Sequence, residues 1–289
     1  MVFVTDFFFY YIFRIFLGGA TIALQVAEMA NNDEIPMLLA FLDNLAPKTD
    51  KDTPSSDLIE VCHQIQEKKL DSNGKKDPRY IIPIVSGMTR GDLVKKLPEF
   101  IGAKDIVYKA ALIRMSERVG RHMHMFREEQ NREAPSLLGM TLCEQLVFLH
   151  RLDFTSVGLS QKRYLNAIEI CLKEDEIFTN RVIMAALDHI SMNFLEGVEG
   201  LPLAYMRTTM LTCSRHESLH SWICHVLLPR LIEGKVYAAG KRQWEGWMRC
   251  ARMLETGADG GISSILAIQK LPPEQLRMYR EKYPDAAIF

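Results

Sequence analysis

The stretch that decides the fold is residues 179–194, TNRVIMAALDHISMNF, in which apolar side chains recur at intervals of three and four residues. This spacing places them on one face of an α-helix, because successive residues turn by about 100° around the helix axis. Thr179 stands directly before the pattern and is a candidate N-cap, since its hydroxyl can accept a hydrogen bond from the first helical turn. The stretch therefore predicts an amphipathic helix with a buried apolar stripe.

The same period governs most of the chain. Comparable stripes follow three other positions, at Ser160, Glu217 and Gln243. Alternating strand patterns are absent outside Tyr80–Val85, where Pro83 disfavours a central strand. Short segments rich in Gly, Pro and polar residues separate the stripes, and Thr89 with Asp92 resembles a capping box. We predict an all-α fold, a HEAT-like α-solenoid of about a dozen helices in antiparallel pairs.

The amino-acid composition excludes some classes of function for this chain. The 289 residues include 35 Lys and Arg against 36 Asp and Glu, a net charge of −1, which argues against a generic phosphate binder with a surplus of cations. The apolar fraction of 48% is typical of globular proteins, and a chain of this length can bury a core without disulfides. The six cysteines are irregularly spaced and form no CxxC pair, which indicates free thiols in a reducing compartment.

The N-terminus differs from the rest of the chain, because residues 1–17 contain eight aromatic side chains. Asp6 occupies a position where a secretory signal would carry positive charge, and Arg14 interrupts the apolar run before the ~18 residues that a membrane-spanning helix needs. Three interpretations stay open: a targeting or membrane segment, a packed terminal helix, or a remnant of the cut that defines the chain. We therefore divide the chain into a hydrophobic extension, residues 1–30, and a helical-repeat domain, residues 31–289.

One string has the form of a catalytic motif, namely His216-Glu217-Ser218-Leu219-His220. On a helix, HExxH places two zinc-binding imidazoles on one face and a glutamate that serves as general base. The extension found in one class of these peptidases is missing, since Ile223 and Val226 occupy its positions. Cys213 and Cys224 extend the string to C-x2-H-x3-H-x3-C, but one helix cannot surround a zinc ion tetrahedrally. We expect a packed core edge without metal or catalysis, with a zinc metallopeptidase as the alternative function.

A basic stripe is a second candidate site. Arg114, Arg118 and Arg121 fall at i, i+4 and i+7 and share one helix face. Such a stripe can dock a phosphate or an acidic partner, and the alternative is a solvated face balanced by neighbouring glutamates. No GxGxxG loop, Walker A loop, GxSxG elbow or carboxylate dyad occurs in the sequence, so no other motif specifies an enzyme.

Several strings carry a family resemblance. They are Leu201-Pro202-Leu203 followed by Met206-Arg207-Thr208, then Trp244-Glu245-Gly246-Trp247-Met248-Arg249-Cys250, then Gln269-Lys270-Leu271-Pro272-Pro273-Glu274-Gln275-Leu276, and upstream Asp77–Met88 with Leu97–Phe100. Their order and rough spacing resemble those of the symplekin C-terminal domain. The resemblance runs from about Leu38 to Pro284.

The resemblance implies a non-catalytic scaffold, without a cofactor, in nuclear pre-mRNA 3′-end processing. Symplekins are helical-repeat proteins that hold together the cleavage and polyadenylation specificity factor, including its zinc endonuclease, and the cleavage stimulation factor. The implied partners are the endonuclease and its inactive homologue, with the cleavage stimulation factor as a further partner. RNA contact is expected to be indirect or weak, and no membrane contact is expected. A generic HEAT-type adaptor for transport or trafficking is the remaining alternative.

Overall fold

The computed structural model describes residues 19–47, 54–70, 74–118, 139–255 and 263–286. Within these ranges the chain is all-α and contains no β-strand; an isolated bridge joins Leu70 and Lys76. The predicted all-α class is confirmed. The chain forms two compact units, Met1–Thr141 and Leu142–Phe289, and the sequence patterns did not indicate the boundary between them. The predicted boundary at residue 30 stays a prediction.

The described part of the first unit contains five α-helices around a 3₁₀-helical segment. The helices are α1 Gly19–Met29, α2 Ile35–Leu45, α3 Ser56–Lys68, α4 Arg90–Gly102 and α5 Asp105–Arg118. The 3₁₀ segment, Pro78–Gly87, contacts α2, α3, α4 and α5. Its Tyr80, Ile81 and Ile84 are fully buried, so this segment forms the centre of the unit's packing.

An N-cap and a proline explain why Pro78–Gly87 forms a 3₁₀ segment, although Tyr80–Val85 within it has the alternating pattern of a strand. Asp77 caps it, because the carboxylate accepts a hydrogen bond of 3.0 Å from the backbone N–H of Arg79. Pro83 lies inside it and has no N–H to give to a sheet or an α-helix. Ten residues is long for 3₁₀ geometry, and burial against four helices supplies the stability that its local hydrogen bonds lack. The predicted cap at Thr89 is confirmed, since its Oγ1 accepts from the N–H of Asp92 at 3.2 Å.

The second unit is built from nine α-helices in its described residues. They are α6 Leu142–Arg151, α7 Gln161–Lys173, α8 Asn180–Leu195, α9 Tyr205–Arg215, α10 His220–Trp222, α11 Leu228–Glu233, α12 Lys241–Met253, α13 Ile265–Gln269 and α14 Pro273–Lys282. A π-helical turn, Ile223–Leu227, separates α10 from α11. Helix α8 packs on α6 and α11, whereas α9 packs on α7 and α12. Helices thus pack mainly on near neighbours in sequence, as they do in helical-repeat folds.

The predicted stripes form the core of the second unit. In α8 the five residues Val182, Ile183, Ala186, Leu187 and Ile190 are at most 3% exposed. Thr179 is the N-cap of α8, as predicted, but its hydroxyl makes no capping hydrogen bond. None of the helices in the described ranges is both long and apolar enough to cross a membrane. The aromatic segment Met1–Leu17 lies outside these ranges, so its interpretations stay open.

Candidate functional site

The His216–His220 string does not lie on one helix. Helix α9 ends at Arg215, and His216 has φ −121° and ψ 72°, outside the helical region. A 3₁₀ turn, Glu217–Leu219, follows before α10 begins at His220. The predicted placement of HExxH on a continuous helix is therefore wrong, and so is the single helix expected from Cys213 to Cys224.

Hydrogen bonds from distant residues explain this break. Nδ1 of His216 donates to Oδ1 of Asn180 at 2.6 Å, and Nδ2 of Asn180 donates to Oγ of Ser218 at 2.6 Å. Nε2 of His220 donates to the carbonyl oxygen of Cys213 at 2.6 Å, so this nitrogen carries a proton and is not free to bind a metal. Asn180 begins α8, and the string is thus tied to a helix that starts 36 residues earlier. Among the described residues, no group of three or more His, Cys, Asp or Glu could hold a metal ion.

His216 lines a surface pocket of about 450 Å³ at the start of α8. Arg181, Arg215, Asp175 and Glu217 also line this pocket. His216 is only 6% exposed, and its Nε2 makes no hydrogen bond within the described parts of the chain. Oδ1 of Asp175 lies 4.0 Å from that nitrogen. The pocket therefore combines two guanidinium groups, two carboxylates and a buried imidazole nitrogen without a hydrogen-bond partner.

A cationic cluster adjoins the pocket through Arg215. Glu169 lies 2.8 Å from Nζ of Lys173, 3.9 Å from Nη2 of Arg207 and 4.0 Å from Nη2 of Arg215. The hydrogen bond from Lys173, together with the charges of the three cations, lowers the pKa of Glu169 below its ordinary value. Three cations around one carboxylate leave an excess of positive charge beside the pocket.

Sequence reasoning missed Asn180, Arg181 and Arg215 as members of one site. Asn180 and His216 meet only because α8 and the end of α9 fold together, and no short spacing connects them. The sequence signal nearest to them was the predicted N-cap at Thr179, which marks where the pocket-forming helix begins.

The predicted basic stripe loses its first member. Arg114 is 6% exposed, and its Nη2 donates to the carbonyl oxygen of Pro47 at 2.9 Å. Helix α5 packs on the 3₁₀ segment, and this burial removes Arg114 from any exposed partner-binding stripe. The side chain of Arg118 and all of Arg121 lie outside the described residues, so their role stays a prediction.

All six cysteines are buried free thiols. Sγ of Cys213 on α9 lies 3.3 Å from Sγ of Cys250 on α12. Burial raises the pKa of Cys224 to about 12, and the hydrogen bond with Cys213 together with burial raises the pKa of Cys250. Thiols that stay protonated are poor nucleophiles and poor metal ligands. Their arrangement agrees with a packed core edge.

A family model described as symplekin tight junction protein C terminal matches residues 77–283. The chain belongs to this family. The match begins at Asp77, the cap of the 3₁₀ segment, and covers most of the chain. The resemblance drawn from the sequence began at about Leu38, so it extends further upstream than the family model. No solved structure matches the chain.

In this symplekin-family chain, the first two family strings lie where α9 and the loop before it contact α12. Nε2 of Gln243 donates to the carbonyl oxygens of Pro202 at 2.9 Å and Leu201 at 3.2 Å. A Cβ added at Gly246 would lie 2.5 Å from Cβ of Met206, so glycine permits the close approach of the two helices. These motif positions are explained by packing.

Buried polar contacts explain the threonine at position 208, the last residue of the family string Met206-Arg207-Thr208. Thr208 is fully buried, and its hydroxyl lies 2.9 Å from Nε2 of His150 and 3.1 Å from the carbonyl oxygen of Ala204. Nδ1 of His150 donates to the carbonyl oxygen of Leu146 at 2.7 Å. Burial lowers the pKa of His150 to about 4, so the ring is neutral and Nε2 accepts from the hydroxyl.

The remaining symplekin strings are also mainly structural. Trp244 stacks on Trp247 with ring centroids 5.3 Å apart, and both rings are buried. Leu271 is buried, Pro272 is the N-cap of α14, and Pro273 begins that helix, where a missing N–H costs nothing. Glu245, which lies between the two tryptophans in sequence, is partly exposed. The side chain of Arg207 is 51% exposed and belongs to the cationic cluster beside the pocket.

Proposed function

We propose that this chain is a non-catalytic scaffold in nuclear pre-mRNA 3′-end processing. The observation that carries the proposal is the family match over residues 77–283, because the resemblance to symplekins implies a scaffold that holds processing subunits together. The chain binds other proteins through the surfaces of its packed helices, and its own residues perform no chemistry on RNA.

The structure of the His216–His220 string supports a role without hydrolysis. A zinc peptidase needs both imidazoles to present free nitrogens to one ion, with the glutamate beside it. Here His216 follows the end of α9 and His220 begins α10, with a 3₁₀ turn between them, so the two imidazoles do not share one helix face. This break favours the scaffold over the zinc metallopeptidase.

The proposed partners are protein subunits of the cleavage and polyadenylation specificity factor, namely the endonuclease and its inactive homologue, with the cleavage stimulation factor as a further partner. The net charge of −1 supports protein contacts over strong binding to bare RNA, because RNA affinity depends on a surplus of cations. A stable complex of this kind should bury at least ~1,000 Å² of surface.

Affinity purification tests the proposal. The tagged 289-residue chain is incubated with nuclear extract, and bound proteins are identified by mass spectrometry. An unrelated helical-repeat protein of similar size serves as the control bait. We expect the endonuclease and its inactive homologue to be enriched only with the symplekin-family bait.

The alternatives give different results in the same experiment. Enrichment of transport or trafficking factors without any 3′-end processing subunit would identify a generic helical adaptor and refute the scaffold proposal. Imaging of the tagged chain in cells gives an independent check, because exclusion from the nucleus would also refute it.

A further inference from the structure

We propose that Cys213 and Cys250 form a redox-sensitive pair, which an oxidant of the hydroperoxide class converts into a disulfide that links α9 to α12 within the folded chain. Their two sulfur atoms lie 3.3 Å apart, although the cysteines are 37 residues apart in sequence. A disulfide bond is about 2.05 Å long, so the sulfurs need to approach by only roughly 1.2 Å more. The inference goes beyond the scaffold proposal and does not depend on it.

Close packing of α9 on α12 holds the two sulfurs together. Gly246 precedes Cys250 by one helical turn, and Met206 precedes Cys213 by two turns, so each pair shares a face of its helix. A Cβ added at Gly246 would lie 2.5 Å from Cβ of Met206, which shows how closely the two helices approach along these faces. The folded chain therefore supplies the proximity that a disulfide needs, without the entropy loss of closing a long loop.

The contact between the two thiols assigns their roles. The hydrogen bond with Cys213, together with burial, raises the pKa of Cys250, so Cys250 keeps its proton and donates it to the sulfur of Cys213. Cys250 is fully buried, whereas Cys213 is 4% exposed and lies in the last turn of α9, which ends at Arg215. Helix ends open more readily than helix centres. Cys213 is thus the sulfur that an oxidant reaches first, and Cys250 is the resolving thiol.

The oxidation balances in two steps. The sulfur of Cys213 attacks one oxygen of hydrogen peroxide, the O–O bond breaks, and a sulfenic acid forms while the other oxygen leaves as water with the thiol proton. The sulfur of Cys250 then attacks the sulfenic sulfur, the S–O bond breaks, and the hydroxyl leaves as a second water with the proton of Cys250. The two thiols lose two electrons in total, and the peroxide gains them.

Burial sets the rate of this reaction and the lifetime of its product. Protonated thiols are weak nucleophiles, so the oxidation waits for local opening at the end of α9. The disulfide then lies between two packed helices, where a thiol reductant reaches it only through the same opening. It also encloses the His216–His220 string and the π-helical turn in a covalent loop. The pair therefore responds to sustained rather than brief oxidation.

Peptide mapping of the full chain tests the proposal. The protein is treated with hydrogen peroxide, its remaining thiols are alkylated during denaturation, and it is digested with trypsin without reductant. Trypsin releases Cys213 in residues 208–215 and Cys250 in residues 250–252, whereas Cys224 falls in residues 216–230. We expect mass spectrometry to find residues 208–215 linked to residues 250–252, and the link to disappear after reduction.

Two results of the mapping would overturn the proposal. One is the absence of this linked pair in peroxide-treated protein whose circular dichroism shows intact helices. The other is linkage of Cys213 or Cys250 mainly to Cys224, a third buried thiol whose pKa is raised by burial and by the charge of Cys213.

Alanine variants test the two roles. Cys250→Ala removes the resolving thiol, so we expect Cys213 to persist as a sulfenic acid that dimedone labels, whereas Cys213→Ala should leave Cys250 as an unmodified thiol. Cys224→Ala is the matched control at another buried cysteine and should form the cross-link as the wild type does. Dimedone labelling of Cys250 in Cys213→Ala would overturn the assigned order of attack, and loss of the cross-link in Cys224→Ala would overturn the pair.

Thermal unfolding shows whether the folded chain accommodates the link. A cross-link between residues 37 positions apart lowers the entropy of the unfolded chain, so oxidation should raise the unfolding midpoint by roughly 5–10 °C. Dithiothreitol should reverse the rise, and Cys213→Ala should show none. An unchanged or lower midpoint of the cross-linked protein would overturn the proposal that the link forms within the native packing. No partner enters these assays, so their failure leaves the scaffold proposal standing.

Discussion

At the scale of single residues, Gly246 decides how closely α9 and α12 approach. A Cβ at this position would lie 2.5 Å from Cβ of Met206, an atom that cannot move without its backbone. Alanine is favoured over glycine in a helix by about 1 kcal/mol, but overpacking a core costs about 1–3 kcal/mol. Because the added Cβ would overlap Met206 so closely, the cost of overpacking exceeds the gain in helix propensity.

We therefore predict that Gly246→Ala lowers the free energy of unfolding by about 1–2 kcal/mol. Urea denaturation followed by circular dichroism measures the change. Gly200→Ala is the matched control, because a Cβ at Gly200 meets no atom within 4 Å. Equal stability of the two variants would show that α9 and α12 can separate without cost.

His150 gives the second unit a pH-dependent stability. Burial lowers its pKa in the folded state to about 4, whereas the unfolded chain protonates near pH 6.5. As pH falls below about 6.5, His150 becomes protonated in the unfolded state, whereas in the folded state it stays neutral until about pH 4. Stability is thus present above this window and is lost within it, by about 3 kcal/mol.

Replacement of His150 should remove this loss. We expect the free energy of unfolding of His150→Gln to fall less steeply between about pH 6.5 and about pH 4 than that of the wild type. His225→Gln, at an exposed histidine, serves as the control and should follow the wild type. Parallel curves for all three proteins would mean that His150 takes up its proton in the folded state.

At the scale of elements, the segment from Glu217 to Glu233 is interrupted twice by geometry other than α-helical. It begins as a 3₁₀ turn and contains the π-helical turn Ile223–Leu227, which ends two residues before Pro229. Proline lacks an N–H and clashes with the carbonyl four residues earlier, and a wider turn relieves both problems. The stripe predicted after Glu217 includes Val226 at helical spacing. The extra residue of the π-helical turn shifts the apolar face, which explains why Val226 is 37% exposed.

The break between α9 and α10 disfavours a catalytic role for Glu217, because the two histidines of the string do not lie on one helix. We predict that the purified chain lacks stoichiometric zinc and that Glu217→Gln, which removes a general base at nearly constant shape, changes neither stability nor any background peptidase signal. Metal analysis and a peptide-hydrolysis assay measure the two quantities. Stoichiometric zinc with hydrolysis that depends on Glu217 would reverse the assignment.

At the scale of the whole molecule, the chain consists of two compact helical units, and the family match spans residues of both. Each unit has its own buried centre: the 3₁₀ segment with Tyr80 in the first, and the stacked Trp244 and Trp247 in the second. A scaffold built from such units offers separate surfaces for separate partners, which agrees with the proposed function.

We predict that the aromatic segment Met1–Leu17 is dispensable for the fold of the rest. Deletion of residues 1–17 should leave a soluble protein whose helical circular dichroism and unfolding midpoint match those of the full chain. Insolubility of the shortened chain would instead identify the segment as a packed helix of the core.

Much of the fold was predictable because helical periodicity is a local property. The stripe of α8, the cap at Thr89 and the breaks at Gly and Pro residues depend only on neighbours in sequence. The family strings could be recognised for a related reason. Close packing restricts the residue type at Gly246, and helix initiation favours proline at Pro273.

The amino-acid sequence by itself determined the helical class, the stripes that become core and the family. Tertiary structure alone decided that His216 ends a helix and bonds to Asn180, and that Arg114 is buried against Pro47. The partners in these pairs are 36 and 67 residues apart. Periodicity indicates which face of a helix is apolar. The burial and hydrogen bonds of a polar side chain depend instead on which distant residue packs against it. For that reason the pocket that His216 lines became visible only in the folded chain.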